Sequence, residues 1–275
     1  MDTPKNTHSL KWFGATDCGK YRANNEDSFL GLQFDAREIQ HLGKHGEATM
    51  TNTDFVFAVS DGMGGAKAGE YASKIAVEKI TKLLPPSFQQ AARGLEAGRA
   101  DVLTELYGQI HKALANLGSS YEECAGMEAT LSLSWFTPGW MFFAHIGDSR
   151  IYYLPANESG IKQLTQDDTH VGWLLRNGKL NEREAREHPR RSVLQKALGG
   201  ANQFVDPQVG AVRYESGDIF LLCTDGLFEK IYDNQLVESL RAPDLKTTNP
   251  AQLLVNESLE KNSRDNATAL VVRIV

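Results

Sequence analysis

Cysteine is scarce in this chain. Cys18, Cys124 and Cys223 are far apart and odd in number, which argues against a disulfide framework and makes a reducing cytoplasm the expected location. Long apolar runs are missing as well. No stretch approaches the ~20 residues of a membrane span, and the first eight residues are polar where a signal peptide would be apolar, so no membrane partner is expected. Basic charge is in deficit: the formal net charge is -6, whereas a sequence-independent grip on nucleic acid needs clustered Lys and Arg. The seven histidines show no metal-ligand spacing, and His145, inside an apolar run, reads as a core histidine. Internal repeats, Gly/Ser linkers and low-complexity segments are absent. What remains is 275 residues with 41% hydrophobic content, enough for one large domain with a substantial core.

Against those absences one pattern recurs. Three times an apolar run ends in an Asp at a glycine turn: Phe55 to Asp61-Gly62, Phe142 to Gly147-Asp148, and Ile219 to Asp225-Gly226. Short apolar runs bounded by glycine read as buried strands. Their carboxylates then stand at strand ends, where loops leave a rigid sheet and sites are usually built. Glu26-Asp27 and Asp265-Asn266 add two more acidic positions near the ends of the chain. Carboxylates crowded together repel one another unless a cation holds them, and hard cations such as Mg²⁺ and Mn²⁺ prefer oxygen ligands. Taken singly each motif has a plain reading. Asp61-Gly62-Met63-Gly64-Gly65 could be a strand-to-helix turn, and Arg22 with Glu26 a surface ion pair.

The rest of the chain frames these positions. Residues 1–9 read as a loose tail and 10–275 as a single domain. Leu10–Thr16 and Ser28–Phe34 read as strands flanking the Arg22–Asp27 loop, and 35–52 as a polar hairpin extension. An apolar stripe at Ala72, Ile75, Ala76, Ile80, Leu83 and Leu84 predicts a helix that Pro85-Pro86 stops. A second stripe, Leu103 to Leu117, predicts another helix with Gly118 as its cap. Leu131–Trp135 and Trp140–Ile146 face each other across a Pro138-Gly139 turn. Further strands are expected at Ile151–Leu154, Val209–Arg213, Ile219–Cys223 and Thr268–Val275, with a helix at Asn249–Lys261. Residues 166–202 are polar, with short helical pieces around Val171–Leu175 and Glu182–Glu187. Trp12, Trp135, Trp140 and Trp173 are expected to be packing residues. Strands clustered by tight turns beside two long helices are not a βαβ alternation. They predict an α+β fold, a β-sandwich of two mainly antiparallel sheets with helices outside.

The motifs in this order resemble the metal-dependent serine/threonine phosphatases of the protein phosphatase type 2C (PPM) family. The resemblance runs from about Phe13 to Val275 and includes Arg22–Asp27, Ser60–Gly65, Ala129-Thr130-Leu131, His145–Arg150, Thr224–Leu227 and Arg264–Thr268. Met63 and the stretch His188–Leu194 look like the bacterial branch. The family fold, two antiparallel sheets flanked by helix pairs, agrees with the reading above. The resemblance implies hydrolysis of phosphoserine and phosphothreonine on proteins by a metal-activated water, with no phosphoenzyme. Asp61 would bridge two Mn²⁺ or Mg²⁺ ions, Asp225 and Asp265 would complete one site, and Glu26 with the Gly62 carbonyl the other. Asp27 and Asn266 would orient water around the ions, Asp148 would tie its loop together, and Arg22 would clamp the substrate phosphate. Residues 166–202 would form a flap beside the site, with Arg190 and Arg191 selecting phosphoproteins, the targets of a bacterial serine/threonine kinase.

Two departures from the family pattern stand out. Eukaryotic members carry a histidine, a proposed general acid, where this chain has Met63. The Glu128-Ala129-Thr130 turn lacks an upstream acidic residue that helps hold a third ion, though Glu229 could still be one ligand, so a third ion is left open. One rival reading is excluded and one stays open. A thiol phosphatase needs Arg six positions after a Cys, where this chain has Asn24, Thr130 and Glu229. A pseudophosphatase acting as a binding module could keep the same fold.

Overall fold

The computed structural model describes residues 8–35, 38–51, 53–92, 98–200, 205–241 and 248–275. The first half runs β1 (Ser9–Asp17), β2 (Asp27–Phe34), β3 (Ile39–His41), β4 (His45–Thr49), β5 (Asp54–Met63), α1 (Ala66–Ala92) and α2 (Arg99–Ser120). It continues through β6 (Glu128–Ala129), β7 (Leu131–Thr137), β8 (Trp140–Ile146), β9 (Arg150–Leu154) and β10 (Lys162–Gln163). The second half carries α3 (His170–Arg176), α4 (Glu182–Glu187), β11 (Leu198–Gly199), β12 (Gln208–Arg213) and β13 (Ile219–Cys223). It closes on α5 (Asp225–Phe228), α6 (Asp233–Leu240), α7 (Pro250–Glu260) and β14 (Ala267–Ile274).

The strands form two antiparallel sheets. One has the order β10-β9-β13-β14-β1-β4; the other runs β11-β6-β5-β7-β8-β12, with β2 on β5 and β3 on β2. Their strands are apolar on both sides because each sheet is covered twice. Phe55, Phe57 and Val59 of β5 fill the space between the sheets, while Val56 and Ala58 face α1 and α2. In β13 and β14 the same alternation sends Phe220, Leu222, Leu270 and Val272 inward, and Leu221, Ala269 and Val271 towards α6 and α7. The result is helices, sheet, sheet, helices. Each of the fully buried Phe55, Phe57, Phe136 and Phe220 is worth on the order of 1.5–3 kcal/mol of hydrophobic transfer.

Four sequence expectations are corrected. The backbone of α1 runs through Pro85-Pro86 to Ala92. Proline's fixed φ suits a helix, and what it removes is a hydrogen bond, so the helix axis can absorb the pair. Gly118 lies inside α2 rather than at its end, and its missing side chain lets the Cys124 carbonyl pack closely. The segment 35–52 is not one hairpin: β3 pairs with β2 and β4 with β1, so it crosses from one sheet to the other. Trp12 and Trp135 are core, but Trp140 and Trp173 are half exposed. Of the expected tail, residues 1–7 lie outside the described residues, whereas Ser9 already pairs with Thr49 in the sheet.

Candidate active site

Four chain segments end at one edge of the sandwich and bring the acidic motifs together. Asp27 opens β2 directly opposite Asp61 of β5 in the ladder. Asp225 follows β13 as the first residue of the single-turn helix α5, and Asp265-Asn266 precedes β14. The side chains of Asp61, Asp225 and Asp265 line one cleft with Arg22, Glu26, Gly62, Met63 and Asp148, and the segment expected to be a flap adds Ser192 and Leu194 to its wall.

The backbone of the cleft is held tightly. The Asp61 amide donates to Thr130 Oγ1 at 3.0 Å, the Thr130 amide returns to the Asp61 carbonyl at 2.8 Å, and Ser149 Oγ lies 2.6 Å from Thr130 Oγ1. Gly62 donates to the Glu26 carbonyl at 3.1 Å. A Cβ at Gly62 would overlap the Gly69 carbonyl in the first turns of α1, so only glycine lets the helix close on this strand end. Gly64 and Gly65 have φ of +124° and +86°, the left-handed region that releases the chain from β5 into α1.

Asn266 organises the opposite loop. Its Nδ2 donates to the Cys18 and Asn24 carbonyls at 2.9 and 3.0 Å, and its Oδ1 accepts the Glu26 amide at 2.8 Å. Asp27 is buried behind Asp61, where Oδ2 accepts from Thr224 and Thr268 hydroxyls, both at 2.7 Å. Asp168 ties the loop beside Asp148: the Gly147 amide donates to Asp168 Oδ2 at 3.1 Å, and the Asp168 amide to the Gly147 carbonyl at 2.7 Å. His145 is fully buried, with its ring nitrogens on Ser132 Oγ and the Gly147 carbonyl, and burial lowers its pKa.

Electrostatics mark the cleft as incomplete. Burial pushes Asp61 well above the ordinary carboxylate range, and Asp27, Asp225, Asp148 and Asp265 push it further. Asp225 is raised well above that range for the same reasons, burial first and then Asp148 and Asp265. Asp27 and Asp148 are each raised to about 7, chiefly by burial. Among the described residues Asp225 Oδ1 is buried with no hydrogen-bond partner. An orphaned carboxylate oxygen among carboxylates fits a cation. Among the described residues no three acidic, Cys or His side chains close into a ready-made cage. The donors stand instead around an open cleft, the arrangement of a hard ion that keeps several waters.

Of the expected site residues, the structure brings Arg22, Glu26, Asp61, Gly62, Asp148, Asp225 and Asp265 to the cleft wall. Arg22 is half exposed and its Nη2 donates to Asp265 Oδ2 at 2.6 Å, so the expected phosphate clamp and the expected metal ligand hold each other. Glu229, the candidate for a third ion, accepts both prongs of Arg191 at 2.9 and 3.1 Å. Arg190 and Arg191 part company: Arg191 is tied to Glu229, and Arg190 is exposed on the flap surface. The sequence reading missed the hydroxyls of Thr130, Ser149, Thr224 and Thr268. All four stand inside the quoted motifs, and Ser149, Thr224 and Thr268 lie one to three residues from a candidate carboxylate, so adjacency was the available signal for those three.

Comparison with known proteins gives the family. The protein phosphatase 2C model matches residues 45–262. The serine/threonine protein phosphatase PstP of Mycobacterium tuberculosis is 31% identical over 270 residues, 97% of this chain and 45% of the relative, so the chain spans about half of that protein's length. The serine/threonine phosphatase stp of Listeria monocytogenes is 29% identical over 258 residues, covering 94% of this chain and 93% of the relative. Among solved structures, the S. agalactiae serine/threonine phosphatase superposes with a TM-score of 0.78 at 25% identity, over 96% of this chain and 99% of that one. The catalytic domain of PstP, in complex with two manganese ions, gives a TM-score of 0.75 at 28% identity, over 98% of this chain and 100% of that one. By fold, motif order and sequence match, the chain belongs to the protein phosphatase 2C family.

Proposed function

We propose that this chain hydrolyses phosphoserine and phosphothreonine on proteins by direct attack of water, without a phosphoenzyme. One observation carries the reading: buried carboxylates from separate strand ends converge on a cleft that also holds Arg22, and one of their oxygens, Asp225 Oδ1, has no hydrogen-bond partner among the described residues. Two divalent cations, Mn²⁺ or Mg²⁺, held by Glu26, Asp61, the Gly62 carbonyl, Asp225 and Asp265, would make water a nucleophile at neutral pH and offset phosphoryl charge. The relative PstP, with two manganese ions, supports that stoichiometry.

The chain's own groups supply position. Asn266 holds the loop that presents Arg22 and Glu26, through three hydrogen bonds to that loop. Arg22, already in the cleft, exchanges Asp265 for the substrate phosphate, whose oxygens match its two-pronged guanidinium. Asp27, fixed between Thr224 and Thr268, adds negative charge behind Asp61 and strengthens the demand for cations. Met63 lines the cleft but has no proton to give, so the leaving oxygen takes its proton from water. Thiol chemistry is disfavoured because no cysteine lines the cleft, and burial pushes the Cys223 thiol up, away from the reactive thiolate.

The substrates are phosphorylated proteins, the targets of a bacterial serine/threonine kinase, and the flap at 166–202 selects among them within a single catalytic domain, 10–275. A cytoplasmic setting is supported by three free cysteines. No helix among the described residues is long and apolar enough to cross a membrane. The test is phosphate release from a phosphothreonine peptide across a Mn²⁺ titration. Release that rises with Mn²⁺ and is abolished by EDTA is expected; no release at any Mn²⁺ concentration would overturn the activity.

A further inference from the structure

Asp225 stands on a helix that cannot hold itself in place. α5 is one turn, Asp225–Phe228, far shorter than a helix that is stable alone. The Oδ1 of Asp225 gives no anchor either, since it has no hydrogen-bond partner among the described residues. The orientation of this carboxylate must come from whatever grips the helix: Leu227 and Phe228 pack into the core, the Ser263 hydroxyl donates to the Gly226 carbonyl at 2.8 Å, and three arginines hold its outer end. Arg150 lies 3.7 Å from the centre of the Phe228 ring and is fixed by two bonds to Asp167, at 2.9 and 2.6 Å. Arg186 of the flap helix α4 donates to the Phe228 carbonyl at 2.9 Å and lies 4.5 Å from the Tyr232 ring centre. Arg191 of the flap grips Glu229 through both prongs of its guanidinium. Glu229 caps the C-terminus of α5, and its amide donates to the Asp225 carbonyl at 3.0 Å.

The Arg191–Glu229 link has the features of a built contact. The Glu229 side chain is only 18% exposed, so its carboxylate is largely removed from water and needs a fixed counter-charge. Ser192, next in sequence to Arg191, lines the cleft beside Asp225, so one link sets both the flap wall and the helix. The flap end beyond it is pinned by the bridge between Thr169 and Leu194. Arg191 and Arg190 are both exposed, at 41% for the Arg191 side chain, but among the described residues only Arg191 has a carboxylate partner; the Arg190 amide turns back to His188 Nδ1 at 3.1 Å.

We propose that Arg191 and Glu229 form a clasp between the flap and α5 that positions Asp225 for the cation, making Arg191 a positioning residue rather than a substrate contact. The inference rests on the hydrolytic reading of the cleft, but its first readout does not depend on turnover. Mn²⁺ binding is measured calorimetrically on the full chain, wild type against Arg191→Ala, Glu229→Gln and the charge exchange Arg191→Glu with Glu229→Arg. Each single substitution should weaken Mn²⁺ binding several-fold. The exchange should recover much of that loss, which a residue acting only through general stability would not allow. Arg191→Lys keeps the charge but loses the fork, and should fall between Arg191→Ala and wild type.

Kinetics separate the roles further. In Arg191→Ala the half-saturating Mn²⁺ should rise several-fold, while at saturating Mn²⁺ the KM for p-nitrophenyl phosphate stays within about twofold, because the substrate itself is not touched. Unchanged Mn²⁺ binding in both single variants overturns the clasp. So does a loss confined to phosphopeptides, which would make Arg191 a substrate contact. A wild-type chain that binds Mn²⁺ yet releases no phosphate would sink the activity and leave the clasp to be judged on the binding data alone.

Discussion

Asp225 divides two acidic neighbourhoods that are neutralised in opposite ways. On the flap side, Asp167 and Glu229 each hold an arginine through two hydrogen bonds. On the cleft side, Asp61, Asp27, Asp148 and Asp225 stand in one another's field and are all raised. The one arginine lining the cleft wall, Arg22, sits on Asp265. Both groups are largely buried, so burial does not distinguish them. The difference lies in where the counter-charge comes from. A guanidinium built into the chain fixes geometry permanently and suits a structural clasp. A carboxylate group left without one stores repulsion until an ion arrives, and suits chemistry that needs an exchangeable cation.

The sharpest way to break the comparison is to remove a cleft carboxylate. Asp61→Asn and Asp225→Asn should each lower kcat by orders of magnitude, because each deletes an anionic donor from the proposed cation site. The same substitutions relieve repulsion, so melting without metal should stay level or rise. Near wild-type turnover in either variant would reject its role. A large drop in metal-free melting temperature would show instead that the residue is structural.

The next effect is on stability, and its sign follows from the raised carboxylates. Asp27 and Asp148 have folded values of about 7, far above the unfolded carboxylate value of about 4, so the metal-free fold binds more protons than the unfolded chain in between. Their contribution is present at acidic pH and is lost as pH rises through about 7. The metal-free protein should therefore melt lower at pH 8 than at pH 6.5. Below that window the buried, neutral His145 works the other way, because unfolding lets it take a proton. Saturating Mn²⁺ should raise the melting temperature and flatten the slope, since the ion replaces the protons and binds only the native state. A metal-free melting temperature that climbs from pH 6.5 to 8 would contradict the reading of the cleft as an uncompensated anion group.

Arg22→Ala should cost less. A charge-assisted hydrogen bond is worth about 1.5–3 kcal/mol, so KM should rise about 10- to 100-fold with a smaller change in kcat, provided the arginine grips ground and transition states alike. Arg22→Lys should recover only part, because an ammonium lacks the fork. An unchanged KM would leave Arg22 as a partner of Asp265 alone.

How much of this was legible in the sequence depends on distance along the chain. The sandwich could be read because β5, β13 and β14 carry unbroken apolar runs, Phe55–Val59, Ile219–Cys223 and Ala269–Val272, which a sheet covered on both faces requires. Asp61, Asp148 and Asp225 could be read because each follows such a run, and Glu26, Asp27 and Asp265 because they stand at or just before the start of a strand. The reach of α1 past Pro85-Pro86 could not, since local propensity argued the other way and the rest of the helix already packs on α2 and the sheet. Nor could the crossing of 35–52 between sheets, because polar hairpins and polar crossovers share one composition. In the site, partners far apart in sequence were hidden: Asp27 with Thr268, Glu26 with Asn266, Arg22 with Asp265. Pairings over more than 200 residues are set by register between strand ends, which no local window contains.

The two flap arginines give the smallest predicted effect and the finest test. In the sequence they are adjacent and equivalent; in the structure both are exposed, but Arg191 is committed to Glu229 while Arg190 pairs with no carboxylate among the described residues. α3 and α4 give the flap its own local stops, since Thr169 caps the first and Asn181 with Glu184 the second, so a surface change at Arg190 should leave both helices intact. Arg190→Gln should therefore keep p-nitrophenyl phosphate turnover within about threefold of wild type, as a small substrate barely reaches the flap. Its kcat/KM for phosphopeptides should shift, and the shift should depend on the charge flanking the phosphoresidue and shrink as salt rises, because an exposed guanidinium acts through a screened field. Equal losses on both substrates would place Arg190 in the machinery that Arg191 supports, and the division of the flap into a fixed clasp and a free surface would fail. No change on either substrate would leave phosphoprotein selection to other residues of the flap.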